Sequence, residues 1–404
     1  MATYKIKKPT YTGWQWAKTI LPRVFFPPIL LWDLAKLGVN KLAGEAIGSL
    51  VLPAQNWGFG TVNNPERLNR DGLKHEKHDI VTHDGTHLDT LEVNPDSQKD
   101  VEPQYKKYII NFVGNGMSYE HIVDEMQEDA KALDSNIVGF NFRGVGTSTG
   151  RAKSKDDLVT DGIAQVQRLL DMGIKPENIT LKGHSLGAGV ASLVAKHFHD
   201  QEQPVNIFNG RSFSSITNFM VGQIRTGGET GHHETLGRKI LGWIAKPFIK
   251  FAVSLAKWEM NAGDAFQSIP QEYKDYIVVR TRKTKRNVDV IDDAVIPHYA
   301  SIHAYLKDER RAQKDDIDDL IRDTKSLAKH SDPRTKEGLQ KAGSDLEKAR
   351  EQFKERKMEA VSYVNGHNTS MESLNNRNGK NANTFFQEFV QRVDMDHGIH
   401  KPKI

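Results

Sequence analysis

From residue 78 onward, short apolar runs alternate with segments whose apolar residues return every three to four positions. Residues 78–81 and 87–93 flank Asp84-Gly85, a tight-turn dipeptide, and predict an antiparallel hairpin. Residues 108–113 form a continuous apolar run that enters Gly114-Asn115-Gly116, which predicts a strand buried on both faces. Residues 120–133 carry Ile122, Val123, Met126, Ala130 and Leu133 at helical spacing. Residues 136–142 predict a further strand, 156–170 a helix, and 178–182 a third buried strand. Residues 205–208, 276–279 and 360–364 extend the strand series. Helices alternating with apolar strands imply a mostly parallel sheet with right-handed crossovers and helices on both faces, an α/β architecture.

Two intervals are too long for ordinary connections. Residues 211–270 separate one pair of strands, and residues 308–357 lie inside the next connection. More than half of the second interval is charged, which predicts a solvent-exposed helical hairpin. In the first, Leu236, Ile240, Ile244, Phe248, Phe251 and Leu255 recur at spacings of four and three, while Lys239, Lys246, Lys250 and Lys257 fall on another face. Pro247 is expected to kink or divide that helix.

The chain has 404 residues, a formal charge of +4 and no cysteine. Its length allows one large domain with insertions. The missing thiols exclude cysteine nucleophiles, thiolate zinc sites and iron–sulfur clusters, so any catalysis uses oxygen or nitrogen. The charge is too small to mark a nucleic-acid binder. No apolar run reaches spanning length, because residues 19–37 are cut by Pro22, Arg23, Pro27, Pro28, Asp33 and Lys36. The same stretch lacks the features of a cleavable signal peptide. The expected location is cytoplasmic or peripheral to a membrane. Residues 19–52 are nevertheless rich in Leu, Ile, Phe and Trp, which fits an arm packed on the body of the protein or an interfacial contact.

Gly183-His184-Ser185-Leu186-Gly187 fits the nucleophile-elbow pattern G-x-S-x-G. So does Gly146-Thr147-Ser148-Thr149-Gly150, and context separates the two. Ser185 follows an apolar strand and opens an Ala-rich helix over 188–196, whereas Ser148 is followed by Arg151, Lys153 and Lys155 without apolar periodicity. Ser185 is therefore the nucleophile candidate.

The segment from Gly173 to Gly187 resembles the approach to the nucleophile in the α/β-hydrolase superfamily. Phe140-Asn141-Phe142-Arg143-Gly144, with Gly146 and Ser148, resembles that superfamily's preceding strand and loop. The resemblance covers about residues 75–300 and resumes near 355–395. It implies a triad in the order Ser, acid, His. Asp293, in Asp293-Ala294-Val295-Ile296-Pro297, fits the place of the acid, with Asp289 and Asp292 as competitors. His367, in Gly366-His367-Asn368, fits the place of the histidine, ahead of His397 and His400 in the tail. The resemblance also implies an oxyanion hole from the backbone N–H of Leu186 and from the loop after residue 113. There Asn115 is the second donor, or Met117 in a shifted register.

The chain then divides into an N-terminal arm (1–74), a first part of the hydrolase core (75–210), a helical lid (211–270), further core (271–307), a charged helical insertion (308–357) and the end of the core with a polar tail (358–404). The implied activity is cleavage of an acyl ester, lipid included, by a serine hydrolase without cofactor or metal. Thioesterase, amidase or acyltransferase chemistry would use the same residues, and an idle hydrolase fold serving as a binding module is the rival. Membrane contact through the lid or the arm accompanies the lipid reading. The whole layout is also similar to α/β-hydrolase effectors that intracellular bacteria inject into host cells.

Overall fold

The computed structural model describes residues 2–6, 47–69, 71–227, 234–280, 293–330, 333–361 and 366–398. Asp289, Asp292 and His400, with most of the apolar N-terminal stretch, lie outside them.

The strands are β1 (Ala2–Lys5), β2 (Leu73–Val81), β3 (His87–Pro95), β4 (Tyr108–Phe112), β5 (Asn136–Phe140), β6 (Ile179–His184), β7 (Asn206–Gly210), β8 (Lys274–Val279), β9 (Lys357–Val361) and β10 (Asn375–Asn376). The helices of three or more turns, with one shorter, are α1 (Val123–Leu133), α2 (Lys155–Asp171), α3 (Leu186–His199), α4 (Ile216–Thr226), α5 (Leu236–Leu255), α6 (Ala262–Ser268), α7 (Lys307–His330), α8 (Pro333–Glu355) and α9 (Ala382–Asp396). All the strands join one sheet in the order β1-β2-β3-β5-β4-β6-β7-β8-β9-β10. β3 is antiparallel to both neighbours, β10 is antiparallel to β9, and β5, β4, β6, β7, β8 and β9 are parallel. From β2 to β9 this is the order of the α/β-hydrolase fold, which the chain adopts.

Alternation along the strands divides the core into two layers. Ile110 and Phe112 of β4 face α2, α3 and α6, where Leu158, Val190 and Phe266 are buried. Ile109 points the other way, into a layer with Met126 of α1 and Phe386 and Phe389 of α9. Parallel strands covered on both faces must be apolar at nearly every position, which is why β4 and β5 are buried throughout.

Several boundaries depart from the sequence reading. Residues 2–5, assigned to an arm, pair parallel to β2 as an edge strand, and Tyr4 packs beside Ile6, Ile80 and Leu88. Thr3, Tyr4, Lys5 and Ile6 alternate polar and apolar, a period-two strand pattern that the sequence reading passed over, and the edge of β2 supplies the partners. The last parallel strand begins at Lys357, three residues earlier than expected. Helix α5 continues through Pro247 without division. Residues 256–270 are core rather than lid, since Ala256, Trp258, Met260, Ala262, Phe266 and Ile269 are all buried in the main cluster. Residues 307–330 and 333–355 form two helices packed on each other, with Lys325 paired to Glu347 and Arg350 to Asp318.

Candidate active site

Ser185 sits between the end of β6 and the first turn of α3 with φ 54° and ψ −119°, a conformation that costs energy for any residue with a side chain. Its neighbours explain how the strain is held. The Ser185 N–H donates to the Gly210 carbonyl at 2.9 Å, and the Gly189 N–H donates to the Ser185 carbonyl at 3.2 Å. A Cβ at Gly183 would collide with the backbone of Ala188, and one at Gly187 with the carbonyls of Phe112 and Val113. Strand, turn and helix approach so closely here that only hydrogen fits at either position.

Asp293 and His367 come to this turn from distant parts of the chain. His367 Nε2 lies 2.9 Å from Ser185 Oγ, and His367 Nδ1 lies 2.9 Å from Asp293 Oδ2. The other carboxylate oxygen of Asp293 accepts from the backbone N–H groups of Val295 at 2.9 Å and Ile296 at 2.8 Å. One oxygen is thereby anchored and the other turned to the imidazole. All three side chains are buried. Leu186 opens α3, so its N–H belongs to the first-turn amides that have no partner within the helix.

Ser185 and His367 border a cavity of about 510 Å³, whose wall also includes Trp57, Asn115, Met117, Arg211 and Met371. Both residues expected to form the second oxyanion donor therefore face the same space as the serine. No residue of α5 lines this cavity. Leu236, Ile240, Trp243, Ile244, Phe248 and Phe251 of α5 point to solvent instead, which departs from a lid closed over the serine.

Arg211 is a site residue that motif reading missed. It follows β7 with φ 54°, and its Nη1 donates to the carbonyls of Gly366 at 3.0 Å and Thr369 at 2.6 Å, on either side of His367. Burial lowers its pKa to about 10. Burial, reinforced by the nearby positive charge of Arg211, also pushes His184 well below the ordinary histidine range and keeps that ring neutral beside His367, 5.0 Å away between centroids. On the cavity wall, Lys182 is buried between Asp129 at 2.5 Å and Glu125 at 2.6 Å. Those carboxylates outweigh the burial and hold its pKa above the usual lysine value. Trp57 was equally invisible as a site residue, because its place depends on Leu52 and Ala54 anchoring the N-terminal segment in the core.

The competing motif has a structural explanation. Ser148 Oγ donates to the Asn141 carbonyl at 2.8 Å and accepts from the Asp89 N–H at 2.9 Å, so its hydroxyl is committed to a turn. Arg143 ties that turn to the hairpin and to α2 through Asp84 at 2.8 Å and Asp161 at 2.7 Å. Despite this partner, burial raises Asp161 to about 6. His397 stacks on Tyr273, away from the cavity lining. Among the described residues no group of three or more His, Asp or Glu side chains is placed to hold a metal ion, and no helix is long and apolar enough to cross a membrane.

A family model described as Chlamydia CHLPS protein (DUF818) matches residues 67–341, more than half of the chain. The match takes in Ser185 and Asp293 and stops short of His367. Comparison with curated proteins found no match. Similar solved structures include the esterase Pf2001 of Pyrococcus furiosus, with 18% identity over 55% of this chain and 74% of that one and a TM-score of 0.37. Another is an alpha-beta hydrolase from Vibrio vulnificus, with 17% identity, coverage of 58% and 74%, and a TM-score of 0.41. A third is a brefeldin A esterase described as a bacterial homologue of human hormone-sensitive lipase, with 13% identity, coverage of 60% and 68%, and a TM-score of 0.35.

Proposed function

The chain belongs to the Chlamydia CHLPS protein (DUF818) family, whose description names no reaction, and from its site chemistry we propose that it is a serine hydrolase cleaving acyl esters. The observation that carries this reading is the unbroken line of hydrogen-bond distances from Ser185 Oγ through His367 to Asp293. A serine hydroxyl is a weak nucleophile at neutral pH, and activation needs a base within reach. His367 Nε2 takes the hydroxyl proton as Oγ attacks the ester carbonyl. Asp293 holds the imidazole tautomer and stabilises the imidazolium without itself taking the proton. The oxyanion that forms is met by the N–H groups of Leu186 and Asn115. Collapse expels the alcohol, which receives the proton from His367, and leaves an acyl group on Ser185. Water then attacks the acyl carbonyl while His367 takes one of its protons, and collapse breaks the bond to Ser185 Oγ, which receives that proton from His367 as the carboxylic acid leaves.

The cavity volume, about 510 Å³, lies in the range of small-molecule sites, and Trp57, Phe112, Val113 and Met371 offer an acyl chain an apolar wall. A fluorophosphonate probe and a set of p-nitrophenyl esters of rising chain length test the reading. The parent should label and turn over, while Ser185→Ala should do neither and keep the parental melting temperature. Absence of labelling and turnover in the correctly folded parent would reduce the protein to an idle hydrolase fold.

A further inference from the structure

Helix α5 is amphipathic in the reverse sense for a globular protein. Its inward face is built from Gly242, Ala245, Ile249 and Val253, which settle it against α4. Its large apolar side chains point the other way. Leu236 is 75% exposed, Trp243 78%, Phe248 72% and Phe251 71%, and Ile240 and Ile244 are at least half exposed. At about 100° per residue these six share one stripe, centred roughly opposite the packed face. Lys239, Lys246 and Lys250 run along one flank between the two faces, Arg238 lies nearer the packed side, and none of the twenty residues of α5 is acidic. Leaving so much apolar surface in water is costly, and a contiguous stripe of this kind marks an interaction site.

We propose that this stripe docks on an anionic lipid surface. The charge pattern selects that partner. A basic flank beside an apolar face places ammonium groups at headgroup level while Trp, Phe and Leu enter the acyl boundary, with Trp243 suited to the interface by its amphipathic ring. A second copy of this chain would fit worse, because an antiparallel two-fold contact would bring the same basic flank against itself and a parallel one would offer the lysines no acidic residue of α5. An acidic lipid offers both the apolar depth and the opposite charge. The surface is independent of the hydrolase reading, since no α5 residue lines the cavity at Ser185.

Co-sedimentation of the full chain with phosphatidylcholine vesicles, with and without phosphatidylserine, tests the proposal, and circular dichroism checks the fold of each variant. The parent should bind vesicles containing phosphatidylserine, and added salt should weaken that binding. The triple variant Trp243→Gln, Phe248→Gln, Phe251→Gln changes only exposed side chains and should lose at least about tenfold in partitioning. Lys239→Gln with Lys250→Gln should lose on the order of fivefold per lysine on anionic vesicles only. No binding of the folded parent to either vesicle would overturn the proposal, as would parental binding by the triple variant. So would a lipid-free dimer that the triple variant abolishes, which would give the face to a second copy. A Ser185→Ala variant should bind as the parent does, so failure of the hydrolase reading and failure of this one are read separately.

Discussion

Arg211 shows how one side chain can govern a site it never joins by motif. A single nitrogen donates to carbonyls on both sides of His367, and the residue accepts a left-handed backbone and a buried charge to do so. Without those bonds the loop from Gly366 to Thr369 loses its anchor, and His367 drifts from Ser185. Misplacement of a catalytic group by about 1 Å costs on the order of 10²-fold. Arg211→Met should therefore lower kcat by about that factor with KM near parental. Arg211→Lys should recover part of the loss, because one ammonium can also donate twice. Steady-state kinetics on a soluble ester and the rate of fluorophosphonate labelling check this, and parental kcat in Arg211→Met would remove Arg211 from the site's support. The triad candidates and the oxyanion loop were legible in the chain, since each sits in a short segment that resembles a hydrolase motif. Arg211 and Trp57 belong to no pattern, and their roles arise from contacts over 150 residues away or from a cavity wall.

Two predictions belong to the scale of elements. The elbow depends on α3 lying against the end of β4, and Gly187 marks the closest approach. Gly187→Ala should destabilise by about 3 kcal/mol, the upper end for overpacking, because the obstruction is backbone and cannot rotate away. Urea denaturation measures it; a midpoint equal to the parent's would mean that strand and helix can separate. The paired helices α7 and α8 make a contrasting case. Ile321 and Ala328 are buried along α7, two ion pairs link it to α8, and the body holds the near end through Arg310, whose Nη1 donates to the Tyr276 hydroxyl at 2.9 Å. Asp318 and Arg350 pair at 2.8 Å, so the two helices lie side by side at that level and a short connection can join them. Replacing residues 319–349 with a Gly/Ser linker should keep ester turnover within about twofold, as surface changes away from a core usually do little. Loss of soluble folded protein would show that the hairpin supports the body. The helix signal in these residues was readable from composition, whereas the outward face of α5 was not. Periodicity reports that a helix has an apolar side and is silent on which way that side points.

At the scale of the whole molecule, the N-terminal segment completes the cavity. Leu52 and Ala54 are buried in the main core, the Ala54 N–H donates to the Asn115 carbonyl at 3.2 Å, and Trp57 reaches the wall beside the loop expected to bind the oxyanion. Trp57→Ala should raise KM for a medium-chain ester by about fivefold with kcat little changed, the size expected from losing part of one aromatic contact with the acyl chain. A chain-length series of p-nitrophenyl esters checks it, and an unchanged KM across the series would place the acyl group elsewhere. The alternation of buried strands and amphipathic helices was determined by the sequence alone, because burial on both faces of a parallel sheet demands apolar runs that nothing else explains. The elbow at Ser185 was determined equally locally, by glycines at the two points where strand and helix touch. Tertiary structure alone decided the rest. It joined residues 2–5 to the edge of β2, brought Asp293 and His367 to one serine, set Arg211 under the histidine loop and turned the apolar side of α5 outward. Each of these depends on which surfaces meet across long stretches of chain, and a contact between distant segments leaves no period in either of them.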